Sequence, residues 1–482
     1  MPHVLRHVSP AKRRTSIRCA LANAGLWGAG NGLVSVTLVR YLANEIGASG
    51  IAIAWILAAP ELAGALRVFA PWWVHRLGSR KKFCVRLYTV SAILLLALPV
   101  IAAPHVLPLR GESLLALGAL WFFFHLLEYV AAVALWSWLG ELTPPSVRGS
   151  FFGRRESWLN VGRAVGMFAA AFFSLYWNRR CSELDRPHDL WIGYAACAVV
   201  GAVCFLLAVI PLRRVADRQQ PLDEQRPPPL RSLLLPFLDS RYRRLLLFGV
   251  WFSAANGLFY AVRSLYEMRQ IQLPFFHKKM LDAGSRGVQS RLSPLAGRQV
   301  DRRGNVPVLA LTQAAISLAP LFYVLASPDA VWWIIGAYVC WLAYAGMNVA
   351  QPNLMIGLSP RDRRATFIAV WFAVNQLALT VGFFLGAKLL QLVVSYEALH
   401  PAALLATTIY PTSIAPAGAL PITAMAVTGG CANSPTDNLT GLLIATALVQ
   451  LAGAWWALRI PEPETEDNGA PPAGDGAEEK SG

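Results

Sequence analysis

The sequence has little charge. Asp, Glu, Lys and Arg make up 15% of its residues, whereas about 25% is usual for a soluble chain. Hydrophobic residues make up 55%, and they come in blocks of about 20, the length that crosses a bilayer as a helix. Because helices satisfy their own backbone hydrogen bonds in lipid, the composition predicts an all-α integral membrane protein and argues against a water-soluble enzyme.

Motifs for metal, redox or nucleotide chemistry are also missing. The seven cysteines form no CxxC pair and no zinc spacing, so we expect no metal and no cofactor. The chain has no G-x-x-x-x-G-K-[ST] motif and is not expected to hydrolyse ATP. No nucleophile–base pair or metal cluster is expected at membrane depth, so we predict no enzyme activity. The apolar stretch after the basic start is too long for a cleavable signal peptide.

The formal net charge is +16, which could indicate nucleic-acid binding. However, the Lys and Arg residues occur in short clusters between apolar blocks. This pattern is typical of cytoplasmic loops beside an anionic membrane, rather than of a basic face on a soluble domain. We therefore expect a lipid bilayer as a partner and no nucleic acid.

Eleven apolar spans are predicted to be transmembrane helices: Cys19–Val39, Ile51–Ala70, Leu87–Ala103, Leu114–Leu139, Trp158–Trp177, Trp191–Leu212, Leu245–Leu265, Val306–Ala326, Val331–Met355, Ala365–Leu392 and Leu442–Leu458. The stretch Gln270–Ala296 is too polar to face lipid. If it crosses the membrane as well, every basic cluster falls on the side of the N-terminus, as the positive-inside tendency requires. We therefore predict twelve helices, with both termini in the cytoplasm of a bacterial inner membrane.

Two short patterns recur in the same order and suggest a duplicated six-helix unit. Arg76-x-Gly78 recurs as Arg302-x-Gly304, and Pro145-x-x-Arg148 recurs as Pro360-x-x-Arg363. The predicted organisation is a basic N-terminus (1–15), a six-helix bundle (16–212), a cytoplasmic connector (213–244), a second six-helix bundle (245–460) and a disordered acidic tail (461–482).

The segment Gly297-Arg-Gln-Val-Asp301-Arg302-Arg-Gly304 resembles the loop motif G-x-x-x-D-R-x-G of the major facilitator superfamily. A first-half copy, from Pro71 to Gly78, keeps Arg76 and Gly78 but has His75 where the motif has Asp. The segment Glu128–Glu156 is also similar to the helix 4–5 region of bacterial members. The resemblance implies a twelve-helix transporter that works by alternating access, and it leaves the substrate open.

The resemblance also implies a gating latch. In the family, the motif's Asp lies near a helix N-terminus, where the helix dipole favours a carboxylate, and the Arg adds ion pairing. Asp301 and Arg302 carry this role here, and the motif's glycines, Gly297 and Gly304, allow a tight turn. His75 cannot supply a permanent negative charge to the first-half copy. For Arg76, Arg80, Lys81 and Lys82, a solvated basic turn is the alternative.

Two carboxylates are predicted within the membrane, where an ionisable residue is costly and suggests function. Glu128 lies near the middle of the fourth span, and His125 is on the same helical face. Glu61 follows Pro60 in the second span, where the proline invites a kink. Either carboxylate could couple transport to protons. The alternative is a neutral carboxyl that bonds a neighbouring helix.

Other charged residues have simpler interpretations. Arg67, Arg163 and Lys388 are close enough to a membrane interface to extend their side chains into it. Arg263 and Glu267 are four residues apart and are predicted to form a local ion pair.

The predicted eighth helix carries a polar stripe. Lys279, Asp282, Arg286 and Gln289 are spaced 3, 4 and 3 residues apart and share one face. If this face lines the central cavity, Lys279 and Arg286 would favour an anionic or zwitterionic substrate. Alternatively, the helix is short, shifted or partly unwound, and the charges reach the interfaces.

Helices 1, 4, 7 and 10 line the cavity in the resembled family, so Asn31, Asn256 and Asn348 join Glu128 as candidate lining residues. An intramembrane Asn can also simply bond a neighbouring helix. Asn375 and Gln376 are further polar candidates. Cys181 and Cys431 both fall in predicted outer loops and could form a disulfide.

These observations predict a monomeric secondary active transporter of a small molecule, with protons as the coupling ion through Glu128 or Glu61. A non-transporting membrane sensor or scaffold that kept the fold is the alternative. The altered first-half motif and the polar eighth helix favour that alternative.

Overall fold

A computed structural model describes residues 10–48, 50–77, 79–103, 106–107, 109–217, 230–265, 267, 271, 275–327, 329–361, 363–399 and 436–463. Every regular element in these residues is helical. The middle of the predicted connector, most of the predicted outer loop with Cys431, and the acidic tail after Pro463 lie outside the described residues. Predictions about these segments, including the Cys181–Cys431 disulfide, therefore stay predictions.

The first half, residues 10–217, contains nine α-helices within its described residues: α1 (Pro10–Leu33), α2 (Val36–Glu45), α3 (Gly50–Leu66), α4 (Ala70–Leu77), α5 (Arg80–Leu95), α6 (Leu98–Ala102), α7 (Arg110–Leu142), α8 (Arg148–Glu183) and α9 (Leu190–Arg214). Seven of the described helical segments are long and apolar enough to cross a membrane. The chain is thus a multi-pass membrane protein.

The second half, residues 230–463, contains a further nine α-helices where it is described: α10 (Leu235–Leu238), α11 (Ser240–Leu265), α12 (Phe275–Arg303), α13 (Asn305–Ser317), α14 (Ala319–Leu325), α15 (Trp333–Trp341), α16 (Tyr344–Gly357), α17 (Arg364–Leu399) and α18 (Thr436–Ala457). The predicted spans correspond to these helices, but several are longer than the apolar run that predicted them. The reason is that polar residues continue a helix beyond the hydrocarbon core.

Several predicted spans are divided into two helices. Pro99 and Pro320 lie in the first turn of α6 and α14, where a proline fits because its missing N–H would be unpaired anyway. Pro60, where the sequence predicts a kink, lies inside α3, which continues through it. The second span is instead interrupted later by the 3-10 turn Arg67–Phe69.

The two halves repeat one packing pattern. In the first half α1 packs against α8 and α9, and in the second half α11 packs against α17 and α18. Glycine allows the closest approaches: a Cβ on Gly162 of α8 would lie 2.0 Å from the carbonyl oxygen of Gly25, and one on Gly382 of α17 would lie 2.1 Å from that of Ala254. Small residues let helix backbones meet in this way in membranes. The shared pattern agrees with the predicted duplication.

The halves contact each other through two sets of helices. The first is α8 against α12 and α16, and the second is α17 against α3, α4 and α7. The polar side chains of these helices therefore decide what lies between the halves.

Candidate functional site

Glu128 lies in α7 and contacts α1. The indole N–H of Trp27 donates to Oε1 of Glu128 at 3.3 Å, and Nδ1 of His125 is 3.2 Å from Oε2. The sequence predicted that His125 and Glu128 share a face, and the structure places them in contact. Trp27 gave no sequence signal, because a tryptophan in a membrane helix is ordinarily read as packing.

The His125 ring is buried among aromatic rings. Its centroid is 4.3 Å from that of Trp121 and 5.1 Å from that of Tyr129. Neither ring nitrogen has a hydrogen-bond partner of good geometry among the described residues. The ring therefore lies between the Glu128 carboxylate and an apolar aromatic surface.

Arg67 does not extend to the interface, so that prediction is wrong. It is 5% exposed, and its guanidinium carbon lies 4.2 Å from the ring centroid of Tyr129 and 4.9 Å from that of Phe372. Its Nη2 donates to Oε1 of Gln376 at 3.4 Å. The 3-10 turn aims this side chain into the bundle, where it joins the first half to α17.

Both predicted carboxylates lie near this arginine. Glu61 and Glu128 each interact electrostatically with Arg67. Oε2 of Glu61 is buried without a hydrogen-bond partner among the described residues. We refer to Glu61, Arg67, His125 and Glu128 as the carboxylate–arginine cluster.

A second cluster centres on Glu156 of α8, which the sequence analysis missed. Its Oε1 accepts hydrogen bonds from the amide groups of Asn348 on α16, at 3.1 Å, and Asn160, at 3.3 Å. Nη1 of Arg163 is 3.9 Å from the same oxygen. The predicted fifth span began at Trp158, whereas α8 begins at Arg148. The apolar window thus excluded Glu156, although the residue is in the third turn of the helix and 7% exposed.

The polar stripe of the eighth predicted helix lies inside the protein. α12 is continuous over Phe275–Arg303, so the helix is neither short nor unwound, and the alternative of a shifted helix stays a prediction. Lys279 donates to the Ser35 hydroxyl at 3.4 Å, Asp282 accepts from the Tyr338 hydroxyl at 2.7 Å, and Gln289 donates to the Trp341 carbonyl at 2.8 Å.

Arg286 connects this stripe to the second cluster. It donates to Oε1 of Gln289 at 3.0 Å and interacts electrostatically with Glu156, Arg163 and Asp282. Arg163 therefore also faces charged groups within the bundle. Lys388, by contrast, is exposed.

The predicted asparagines divide into two groups. Asn256 accepts a hydrogen bond from the Tyr344 hydroxyl at 2.9 Å and thereby joins α11 to α16, and Asn348 joins α16 to Glu156. Asn31 donates to the carbonyl of Trp27 on its own helix, and Asn375 similarly donates to that of Trp371.

Arg263 and Glu267 form the predicted ion pair, with Nε and Oε1 3.5 Å apart. The pair belongs to a larger group, since Lys278 also pairs with Glu267 and the Tyr323 hydroxyl donates to it at 2.7 Å.

At the basic end of the bundle, which we define by Arg80, Arg148, Arg302 and Arg364, Asp301 contacts the start of α8. Its carboxylate accepts from the backbone N–H groups of Gly149 and Ser150, each at 2.7 Å, and from the Ser150 hydroxyl. These N–H groups have no partner within their own helix, and the helix dipole favours a negative charge there.

The other motif residues are placed differently. Arg302 is exposed and has no ion pair among the described residues, so the expected ion pairing is not observed. Gly304 has φ +88° and begins the turn into α13.

In the first-half copy, Arg76 is exposed, while Gly78 and the His75 side chain lie outside the described residues. The solvated-turn interpretation is wrong for Arg80, which pairs with Glu141, and for Lys81, which donates to the Val215 carbonyl at 2.7 Å.

Comparison with known proteins agrees with this architecture. The family model described as Major Facilitator Superfamily matches residues 21–285, more than half of the chain. The chain belongs to this family of membrane transporters, and the resemblance noted in the sequence is confirmed. The search of curated proteins found no match.

Solved structures share the fold. The chain is similar to the proton:xylose symporter XylE bound to 6-bromo-6-deoxy-D-glucose, with 13% identity, a TM-score of 0.62, and coverage of 95% of this chain and 98% of that one. It is also similar to an outward-facing bacterial homologue of the iron transporter ferroportin, with 13% identity, a TM-score of 0.57, and coverage of 93% and 98%. At this identity the similarity concerns the fold alone.

Proposed function

We propose that this protein is a monomeric secondary active transporter that moves a small solute across a bacterial inner membrane by alternating access. The proposal includes twelve membrane crossings, with both termini in the cytoplasm. The proposal rests on one observation. Buried charged and polar groups of the two halves contact each other along the interface between the halves. Arg67 bonds Gln376, Glu156 bonds Asn348, and Lys279 bonds Ser35.

Burying these charged and polar groups costs free energy. A transporter can use them, because a solute can replace one partner of each contact. A charged group in the membrane interior needs protein partners or water, and these partners come from opposite halves. A solute that replaces some of them can bind between the halves and move as the halves rock. A rigid scaffold would gain as much from apolar packing at the same positions.

The carboxylate–arginine cluster supports proton coupling. When Glu128 is charged, it balances Arg67. When Glu128 is protonated, Arg67 loses that balance, and its contacts with Phe372 and Gln376 contribute more to holding it in place. Because Phe372 and Gln376 lie on α17, protonation of one residue in α7 changes the interaction between the halves.

The experiment has two stages. A thermal-stability screen of the purified protein against a broad solute library at several pH values identifies a ligand, because a ligand that binds the folded state raises the unfolding temperature. Flux of that ligand is then measured in reconstituted vesicles with an imposed pH gradient.

Glu128→Gln and Glu61→Gln test the coupling, and Glu112→Gln is the matched control, since Glu112 is an exposed residue in the first turn of the same helix as Glu128. We expect Glu128→Gln to retain downhill exchange and lose uphill transport. Unchanged uphill transport and pH dependence in both variants would refute the coupling. The absence of any ligand shift and any flux in a folded sample would favour the sensor or scaffold.

A further inference from the structure

Two buried arginines at the basic end of the bundle, Arg148 and Arg364, form no ion pair within the described part of the chain. Arg148 at the start of α8 is 7% exposed, and Arg364 at the start of α17 is 5% exposed. Nε of each has no hydrogen-bond partner among the described residues. A buried guanidinium with unpaired donors is costly, so this pair is suited to receive an acidic group.

The surrounding positive charges add to the free-energy cost of burying these two arginines. Arg148 interacts electrostatically with Arg361 and Arg364, and Arg364 with Arg361, and all of these interactions are repulsive. Glu141, on the neighbouring helix α7, already pairs with Arg80. Asp301, next to Arg148, is already bound by the backbone N–H groups of Gly149 and Ser150, and Asp362 lies between Arg361 and Arg363 in the sequence. We call Arg148, Arg361 and Arg364 the arginine site.

The C-terminal segment leads directly to this site. After α18, Glu462 accepts hydrogen bonds from the backbone N–H of Val306, at 2.6 Å, and from the Asn305 side chain, at 3.0 Å. This contact fixes the segment at the start of α13. The next residue, Pro463, packs against Gly357: a Cβ there would lie 2.6 Å from Cγ of Pro463 and 3.6 Å from Nη1 of Arg148. The described chain therefore ends beside Arg148.

The residues that follow Pro463 have the complementary charge. Glu464, Glu466 and Asp467 come first, and Asp475, Glu478 and Glu479 follow, against a single Lys480. Each residue extends the chain by up to about 3.5 Å, so the first three carboxylates are within reach of the arginine site. Tethering also gives them a high effective concentration there, in the millimolar range for short linkers.

We propose that the arginine site binds the chain's own acidic segment, through the carboxylates of Glu464, Glu466 and Asp467. Arg148 belongs to the first half, whereas Arg361, Arg364 and the tail belong to the second. The bound tail therefore holds the two halves together at the basic end, next to the contact between Asp301 and α8. This inference does not depend on which solute is transported.

Limited trypsin digestion of the full-length protein, in detergent without anionic lipid, tests the proposal. Arg361 and Arg363 are exposed, and a bound tail shields the chain beside them. We expect the variant E464Q/E466Q/D467N to be cleaved at these positions about three- to tenfold faster than the parent. The variant D475N/E478Q/E479Q loses the same charge and should match the parent. Raising the salt concentration should reduce the difference, because salt screens exposed ion pairs.

A cross-linking experiment reports the contact directly. A benzophenone amino acid at Thr465 should cross-link to peptides that contain Arg148 or Arg361–Arg364, and the same probe at Ala477 should not. Equal cleavage of parent and both variants, or cross-links from Thr465 to other regions, would overturn the proposal. Arg361 and Arg363 could instead be protected from trypsin only in phosphatidylglycerol vesicles, with or without the acidic residues of the tail. The arginine site would then bind lipid phosphate, and this outcome also contradicts the proposal.

Discussion

Gly297 provides a sharp test of how the two halves meet. A Cβ at this position of α12 would lie 2.4 Å from the carbonyl oxygen of Gly149 and 3.2 Å from Cα of Gly153, both on α8. Since these are backbone atoms, they cannot rotate away, and the two helices would have to separate by about 1 Å to restore ordinary contact. Gly287, on the same helix, has no atom within 4 Å of its added Cβ, so Gly287→Ala is a matched control.

The expected magnitude follows from two opposing effects. Forcing an extra carbon into a packed contact costs about 1–3 kcal/mol, whereas replacing a helical glycine by alanine gains about 1 kcal/mol. The net effect of Gly297→Ala on stability is therefore between no change and a loss of about 2 kcal/mol, and Gly287→Ala should be neutral or slightly stabilising. A loss of 1.4 kcal/mol in the closed state raises the open population about tenfold.

The assay measures that population. Ser293 is fully buried and its carbonyl oxygen faces Gly153. We expect a thiol introduced as Ser293→Cys to react with a water-soluble maleimide about tenfold faster in the Gly297→Ala background, as measured by mass spectrometry of that peptide. The rate should not change in the Gly287→Ala background. Equal rates in the two backgrounds would refute the close backbone contact between α8 and α12.

Three further substitutions are predicted to lower the temperature of thermal unfolding. Asp301→Asn keeps the shape of the side chain but removes its charge from the start of α8, which should cost about 0.5–1 kcal/mol; exposed Asp185→Asn is the control, and equal effects would contradict the dipole argument. Gly304→Ala should cost about 1–2 kcal/mol, because φ is +88° there and an alanine in that region is strained; Gly441→Ala, in open space, should not destabilise. Arg67→Lys keeps the charge but loses the planar group over Tyr129 and Phe372, with an expected cost of about 1–2 kcal/mol in stability. The control, Arg76→Lys at an exposed position, should leave the unfolding temperature unchanged. If Arg67→Lys also leaves it unchanged, the stacking contributes nothing to stability.

The local sequence pattern was sufficient to predict those features of the protein that depend on a single property of the sequence. Apolar blocks of bilayer length located the helices, because the backbone has no other partner in lipid. The loop motif identified the family, and the spacing of His125 and Glu128 placed them on one face. The polar stripe from Lys279 to Gln289 was also correctly assigned to one helix, although hydropathy alone does not distinguish it.

Helix ends were predicted poorly where polar residues continue a helix past its apolar run. Glu156 was missed for this reason, since α8 begins ten residues before the predicted span, at Arg148 rather than Trp158. The 3-10 turn at Arg67–Phe69 was also not predictable, because it depends on what the turn packs against.

The sequence by itself determined that the chain crosses the membrane many times, which family it belongs to and which residues are chemically unusual. Only the tertiary structure decided which of those residues meet. Arg67 can extend to an interface or cross the bundle, and its contacts with Tyr129, Phe372 and Gln376 decide between these possibilities. The energy of a buried charge depends on its partners, and those partners are more than 50 residues away along the chain (Tyr129) or more than 300 (Phe372 and Gln376).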